Sequence, residues 1–384
     1  MRLGTPGFIG TRLRESREAY GLSATALAEM VKVSKQAIYQ YEKGDDSPGP
    51  EVFERICLLF KHEPHFFLRP YPNWQESPKF FRSLAAATKT ARLKAEARHS
   101  WMREVINYLS EIVVLPPVNL PKTMPQVEDP NLLSMEDVER YAAELRRFWN
   151  LGDGPIPNLT RVMEQNGIIV LRHSLDAETL DAVSAWALPE NIPYVLLNSD
   201  KECAARSRLD LAHELGHVCI HQAINETTLN KQELFALIEK QAFRFGSAFL
   251  LPEKAFLEDV YSISLDALKV LKRKWRVSIA MMIERLKTLE IIDPDQHRRL
   301  RIAYVSRRWT KEEPFDRELA IEQPALIQSA FRTIVESKVQ RAEQISANSG
   351  FSRHWLESLL AAPAEIFRDE VKLEMKVLPF KKRA

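Results

Sequence analysis

The chain has 384 residues, 45% of them apolar and 28% charged, with 54 basic against 52 acidic side chains and a net charge of +2. That length exceeds one compact core and calls for two or three domains, while the near-balanced charge excludes nucleic-acid affinity spread over the whole surface and requires a local patch instead. The three scattered cysteines, Cys57, Cys203 and Cys219, exclude a disulfide framework and fit a reducing cytosol. No apolar run approaches the roughly 20 residues that a bilayer span needs. Residues 1–7 have no long apolar core like that of a signal peptide, so the expectation is a cytoplasmic protein with no membrane partner.

Residues 8–70 read as short helices separated by tight turns. Phe8, Ile9, Leu13 and Tyr20 give the first an apolar face, ended by Gly21. Ser23 caps a second, with Leu27, Ala28 and Val31 turned inward, and Ser34 caps a third over 35–43 that stops at Gly44. Pro50 starts a fourth, striped by Val52, Ile56, Leu59 and Phe60. Two short helices joined by a three- or four-residue turn and packed by flanking helices form a helix-turn-helix.

The run Leu22-Ser23-Ala24-Thr25-Ala26-Leu27-Ala28, followed by residues 33–44, resembles the XRE/Cro-type DNA-binding family. The resemblance places Lys35, Gln36 and Gln40 where that family reaches base edges, and their chemistry agrees: an amide pairs bidentately with adenine, Lys with guanine acceptors. Tyr39 and Lys43 are expected to add backbone contacts. The implied partner is a double-stranded DNA operator, and reading paired half-sites implies a homodimer. Ala24 stands where the family often has a Gln, which removes one phosphate contact. Residues 1–70 hold ten basic against nine acidic side chains; residues 79–103 hold seven (Lys79, Arg82, Lys89, Arg92, Lys94, Arg98, Arg103) against Glu96 alone. That second stretch either contacts phosphates or is a solvated helical face.

Residues 76–115 carry a helical period (Phe80, Phe81, Leu84, then Trp101, Val105, Leu109, Ile112) and read as a packed connector. Pro116, Pro117, Pro121, Pro125 and Pro130 bar a regular element and mark the start of the next domain. A helix over 134–150 and a short one over 158–166 follow. The period then changes to three β-like runs, 167–171, 182–187 and 194–198, expected to form a small sheet beside a helix over 202–221. A sheet edge beside a metal site can pair with an extended peptide, as peptide cleavage requires.

Within that helix stands His213-Glu214-Leu215-Gly216-His217. Histidines four apart lie one turn above each other, so both imidazoles reach one metal ion, with Glu214 beside them to handle a proton. The bland alternative is an amphipathic helix with solvated histidines. Catalytic zinc usually takes three protein ligands and leaves the fourth position to water. Glu239 is the favoured third, because it shares an apolar stripe with Phe235, Ala242, Gly246 and Phe249, where a carboxylate needs a partner or a metal. Glu226 and Glu233 compete from more polar settings. The expected ion is Zn2+, with Mn2+ as the alternative. His221, one turn further on, is a second-layer group, a substitute ligand or a histidine stabilised at a helix terminus; Cys219 points away from the metal.

Residues 208–217, His221, Glu239-Lys240-Gln241-Ala242, Phe245 and Leu250-Leu251-Pro252 together resemble the ImmA/IrrE family of metallopeptidases, over roughly residues 155–255. The resemblance implies metal-assisted hydrolysis of a peptide bond in a regulatory protein, such as a transcriptional repressor or the chain itself, with Glu214 as the base. Two departures are Gln241, where many members carry a second Glu, and Gly246, where Ala is common. The alternative is a non-enzymatic regulator whose metallopeptidase-like domain senses a ligand or metal or mediates protein contacts.

The expected layout is multidomain: an all-α helix-turn-helix domain over 1–70, a helical connector and Pro-rich linker over 71–130, an α+β zincin-like metallopeptidase domain with a small sheet over 131–290, and a helical C-terminal extension over 291–384. Within it, residues 275–289 imitate a helix-turn-helix pattern but read as packing, and the basic cluster at 297–301, 307 and 308 reads as a solvated face. The 381–384 tail is expected to fray.

Overall fold

The computed structural model describes residues 4–72, 74–81, 88–174, 181–200, 203–360 and Phe367; Arg82, Leu84 and the 381–384 tail, singled out in the sequence, lie outside them. The N-terminal helices are α1 (Gly10–Ala19), α2 (Ala24–Val31), α3 (Lys35–Lys43) and α4 (Pro50–Phe60). Ser23 and Ser34 cap α2 and α3, each side chain accepting a backbone N–H three residues on at 3.1 Å. Lys32, at φ 57°, and Gly44, at φ 80°, close the two helices in the left-handed region. Leu13, Leu27, Val31, Ile38, Ile56 and Phe60 are fully buried between them.

A 22-residue helix, α5 (Lys89–Ser110), packs against α1. Three of its basic residues, Lys94, Arg98 and Arg103, are buried and form neither the phosphate-contacting nor the solvated face allowed by the sequence, whereas Lys89 is exposed. Arg98 donates to the carbonyls of Ala19 and Ser174, and Arg103 donates to Leu188 O at 3.0 Å and pairs with Glu190 at 2.9 Å. These guanidiniums satisfy backbone carbonyls of neighbouring elements, which a basic count along one helix cannot reveal. Arg12 on α1 likewise reaches both oxygens of Glu104 on α5, at 2.6 and 2.8 Å.

Glu15, one turn from Arg12, is buried beside that pair. Burial pushes its carboxyl up from the usual 4.5 to about 7, although Arg12 pulls the other way. A carboxyl with a raised folded-state pKa contributes stability that is complete below the unfolded pKa and lost as pH rises through the folded one. Between pH 5 and pH 8 the chain should therefore lose up to about 3 kcal/mol from this group. Glu15→Gln is expected to remove that slope: urea melts of parent and variant should agree near pH 5, with the variant the more stable at pH 8.

After α5 come α6 (Met135–Phe148), α7 (Leu159–Gln165), β3 (Ile169–His173), β4 (Ala182–Leu188), β5 (Ile192–Asn198), α8 (Ala204–Ile220), α9 (Glu226–Leu229) and α10 (Gln232–Leu250). The three expected strands are joined by two short ones ahead of α5, β1 (Gln75–Glu76) and β2 (Phe80–Phe81). The helical period expected from residue 76 therefore starts later: Pro78 cannot donate to a helix, and Phe80-Phe81 suits a pleated edge. In the sheet β5 runs parallel to β3 and antiparallel to β4, while β1 and β2 pair antiparallel with the other edge of β4.

Alternation along the strands divides two cores. Ile169, Leu171, Val183, Ala187, Tyr194 and Leu196 face α5 and the helix-turn-helix side, whereas Val170, Ala182, Trp186, Val195 and Leu197 face α8 and α10. The second core continues through α11 (Glu253–Asp259), α12 (Leu265–Trp275), α13 (Ile279–Thr288) and α14 (Pro294–Ser306). Val277, Ile279, Met282 and Leu286 are fully buried, so the second helix-turn-helix-like pattern is packing. The last helices, α15 (Leu326–Glu336), α16 (Ala342–Ser349) and α17 (Arg353–Leu360), return to the first core. There Trp355 Nε1 donates to Phe60 O at 2.9 Å and Arg69 to Asn348 O at 2.9 Å. No helix of the described residues is long and apolar enough to cross a membrane.

Candidate metal centre

Helices α8 and α10 cross with their backbones nearly touching. A Cβ on Gly216 would lie 3.1 Å from Ala242 Cα, and one on Gly246 3.0 Å from the Ala212 carbonyl, so glycine at both positions lets the helices meet. That approach brings Glu239 of α10 against the two histidines of α8. His213 Nε2 and His217 Nε2 are 3.0 Å apart, and the Glu239 carboxylate lies 3.3 Å from each. Among the described residues these three are the group of His, Cys, Asp or Glu donors close enough to share one ion. Zinc bonds of roughly 2.0–2.1 Å in tetrahedral array separate ligand atoms by about 3.3 Å, so the spacing and the N, N, O donor set fit such an ion. Burial alone would raise the Glu239 carboxyl, but the His213 and His217 imidazoles beside it hold it well below the usual carboxylate range. Glu226 and Glu233 are exposed and outside the group.

Behind His217 runs a chain of buried polar contacts. Gln241 Nε2 donates to Pro130 O at 2.8 Å and Leu133 O at 2.9 Å, which orients the amide and leaves Oε1 as the acceptor. That oxygen sits 3.1 Å from His221 Nε2, so His221 carries its proton there. Its Nδ1 is then the acceptor for His217 Nδ1–H, 3.0 Å away, and the lone pair of His217 Nε2 is directed at His213 and Glu239. Burial, with His217 alongside, holds the His221 imidazole well below its usual pKa and therefore neutral. His221 thus lies behind His217 rather than among the three donors, and the last residue of the stretch read as a linker, Pro130, supplies one of the two carbonyls that hold Gln241.

Glu214 is fully buried on the same helix, and Ser184 Oγ of β4 donates to its carboxylate. Across β4 lies Phe80, whose ring stacks on His217 with centroids 4.5 Å apart and 14° between planes. Neither Ser184 nor Phe80 was singled out as a site residue from sequence; only the alternation that aims Ser184 at the histidine helix carried a signal. Cys219 is buried in the core, where burial raises its thiol pKa.

On α3, Lys35, Gln36, Tyr39, Gln40 and Lys43 are all exposed, while Ile38, Tyr41 and Glu42 turn inward. The Lys35 ammonium lies 5.6 Å from the Tyr39 ring centre. Arg17 holds Glu42 at 2.5 Å, keeping that carboxylate off the exposed face. This is the face a recognition helix needs.

Comparison with known proteins agrees with both halves. Residues 13–65 form a helix-turn-helix domain that matches the family of that description, and residues 163–287 match the IrrE N-terminal-like domain, Peptidase_M78. An HTH-type transcriptional regulatory protein of Pyrococcus furiosus is 47% identical over 51 residues, 13% of this chain and 16% of its own length. Two uncharacterized HTH-type transcriptional regulators of Sinorhizobium fredii are 34% identical over 65 residues and 29% over 70. These matches cover 17% and 18% of this chain and 46% and 49% of those relatives, so the chain spans less than half of each curated relative it matches.

Proposed function

We propose that this chain is a cytoplasmic transcriptional regulator that binds an operator through α3 and hydrolyses a peptide bond in a regulatory protein at a metal centre held by His213, His217 and Glu239. The observation that carries this reading is the convergence of those three donors beside Glu214, on the inner side of β4. A Zn2+ or Mn2+ held by His213, His217 and Glu239 would supply Lewis acidity toward a water and the scissile carbonyl. Glu214 accepts the proton of the attacking water and passes it to the leaving amine. Ser184 holds the carboxylate in place, and a substrate peptide would lie extended along the edge of β4 that residues 75–81 occupy. Metal-loaded full-length chain incubated with candidate repressors should yield fragments visible by mass spectrometry, and a chelator should abolish them. Intact partners at every metal loading would overturn the enzymatic half.

Pairing of residues 75–81 with β4 favours a second reading, a regulator whose metallopeptidase-like domain senses a ligand or partner without cutting.

The DNA-binding half has its own expected result. Each bidentate base contact discriminates by about 1–3 kcal/mol, so Gln36→Ala with Gln40→Ala should weaken binding to a site selected from random duplexes at least tenfold and flatten its sequence preference. Equal affinity and preference in the double variant, measured by fluorescence anisotropy, would remove α3 as the reading element.

A further inference from the structure

The edge of β4 that a substrate needs is already taken by the chain itself. Gln75 and Glu76 oppose Leu188 and Ala187, and Phe80 and Phe81 oppose Ser184 and Val183. Between them Ser77 N donates to Trp186 O at 3.0 Å, and Trp186 N donates back to Ser77 Oγ at 2.9 Å. Three residues (77–79) there face two (185 and 186), a bulge that accommodates Pro78 and re-aims the strand. Beyond the bulge Phe80 shares a face with Ser184, the residue bonded to Glu214. Its side chain is 2% exposed, packs with Ile224 and Ile238, and stacks on His217. The segment therefore runs along the strand that carries Ser184 and sets Phe80 against a candidate metal ligand, in the extended antiparallel form a peptide substrate would take.

We propose that residues 75–81 are a resident pseudosubstrate. They hold the peptide-binding edge of β4 closed, and the substrate class is an extended segment carrying an aromatic or large apolar side chain in the place of Phe80. The inference rests on the peptidase reading for the word substrate, while the occupancy itself does not. A tethered strand competes at an effective concentration in the millimolar range, so an added peptide prevails only when the resident strand is weakened or drawn off by a partner.

The test uses the full-length chain carrying Glu214→Gln, so that hydrolysis does not enter, and a fluorescein-labelled peptide of residues 74–83. Weakening the resident strand with Phe80→Ala should raise peptide affinity at least tenfold by anisotropy. Ser77→Pro, which deletes the N–H given to Trp186, should do the same and serves if the first variant fails to fold. A peptide with Ala in place of Phe80 should lose that gain. Equal binding by the unaltered strand and both variants overturns the proposal. So does scission within residues 75–81 of the metal-loaded chain with Glu214 intact, which would make the segment a substrate. Opened peptide binding without cleavage by any Glu214-containing form keeps the pseudosubstrate and discards the peptidase. Cleavage of an added protein at one rate with or without Phe80→Ala does the reverse.

Discussion

Glu214→Gln should fold and load metal like the parent yet lose peptide hydrolysis by a factor on the order of 10^2–10^4, the usual contribution of a positioned general base. The fold survives because the contact that Glu214 makes with Ser184 has Ser184 as donor, and a glutamine Oε1 accepts the same hydrogen bond. Metal loading survives because the three donors placed to hold an ion, His213, His217 and Glu239, are unaltered. What disappears is an acceptor basic enough to take a proton from water, since a carboxamide cannot. Glu239→Gln is the contrasting variant. It replaces an anionic carboxylate ligand by a neutral, weaker amide oxygen and should lose metal first, with activity falling only as a consequence. Metal stoichiometry by atomic emission, measured beside the cleavage rate, separates the two. Wild-type turnover in Glu214→Gln would end the assignment of the base.

How far the sequence reaches depends on the range of the interaction being read. The caps at Ser23 and Ser34, the stops at Gly44 and Gly21 and the alternation in the three strands are local, and they appear in the structure close to their expected positions. The spacing of His213 and His217 is local too, and the stripe of Ala242 and Gly246 that carries Glu239 is the face that meets the histidine helix. Three features were illegible because their partners are distant in sequence. The guanidiniums of Arg98 and Arg103 looked like a basic face, yet they answer carbonyls some 80 residues away in either direction. Phe80 looked like part of a helical stripe, because β1 and β2 acquire strand form only by pairing with β4, more than 100 residues on. Gln241 registered only as a missing carboxylate. Its role depends on the carbonyls of Pro130 and Leu133, more than 100 residues earlier in an irregular stretch without periodicity.

That last residue supports a second large effect. Gln241→Leu should destabilise the chain by several kcal/mol and weaken zinc binding about 10–100-fold, the usual cost of losing a group that orients a metal-binding histidine. The side chain is fully buried, so leucine strands two polar groups, the Leu133 carbonyl and the Nε2–H of His221, and leaves the Pro130 carbonyl only its bond from Leu133 N. Each buried group left without a partner costs about 1–3 kcal/mol. The effect on zinc follows from tautomers. Without the amide oxygen, nothing obliges His221 to keep its proton on Nε2. With the proton on Nδ1, His221 no longer accepts from His217, whose own proton is then free to sit on Nε2 and block the lone pair. Gln241→Glu separates the two contributions. A carboxylate keeps the acceptor for His221 but loses both donors, so stability should fall while zinc affinity stays nearer that of the parent. Urea melts, competition with a chromophoric chelator and nitrogen-15 spectra of the histidine rings report stability, affinity and tautomer independently. Parent-like zinc affinity and tautomers in Gln241→Leu would reduce the chain of contacts to packing alone.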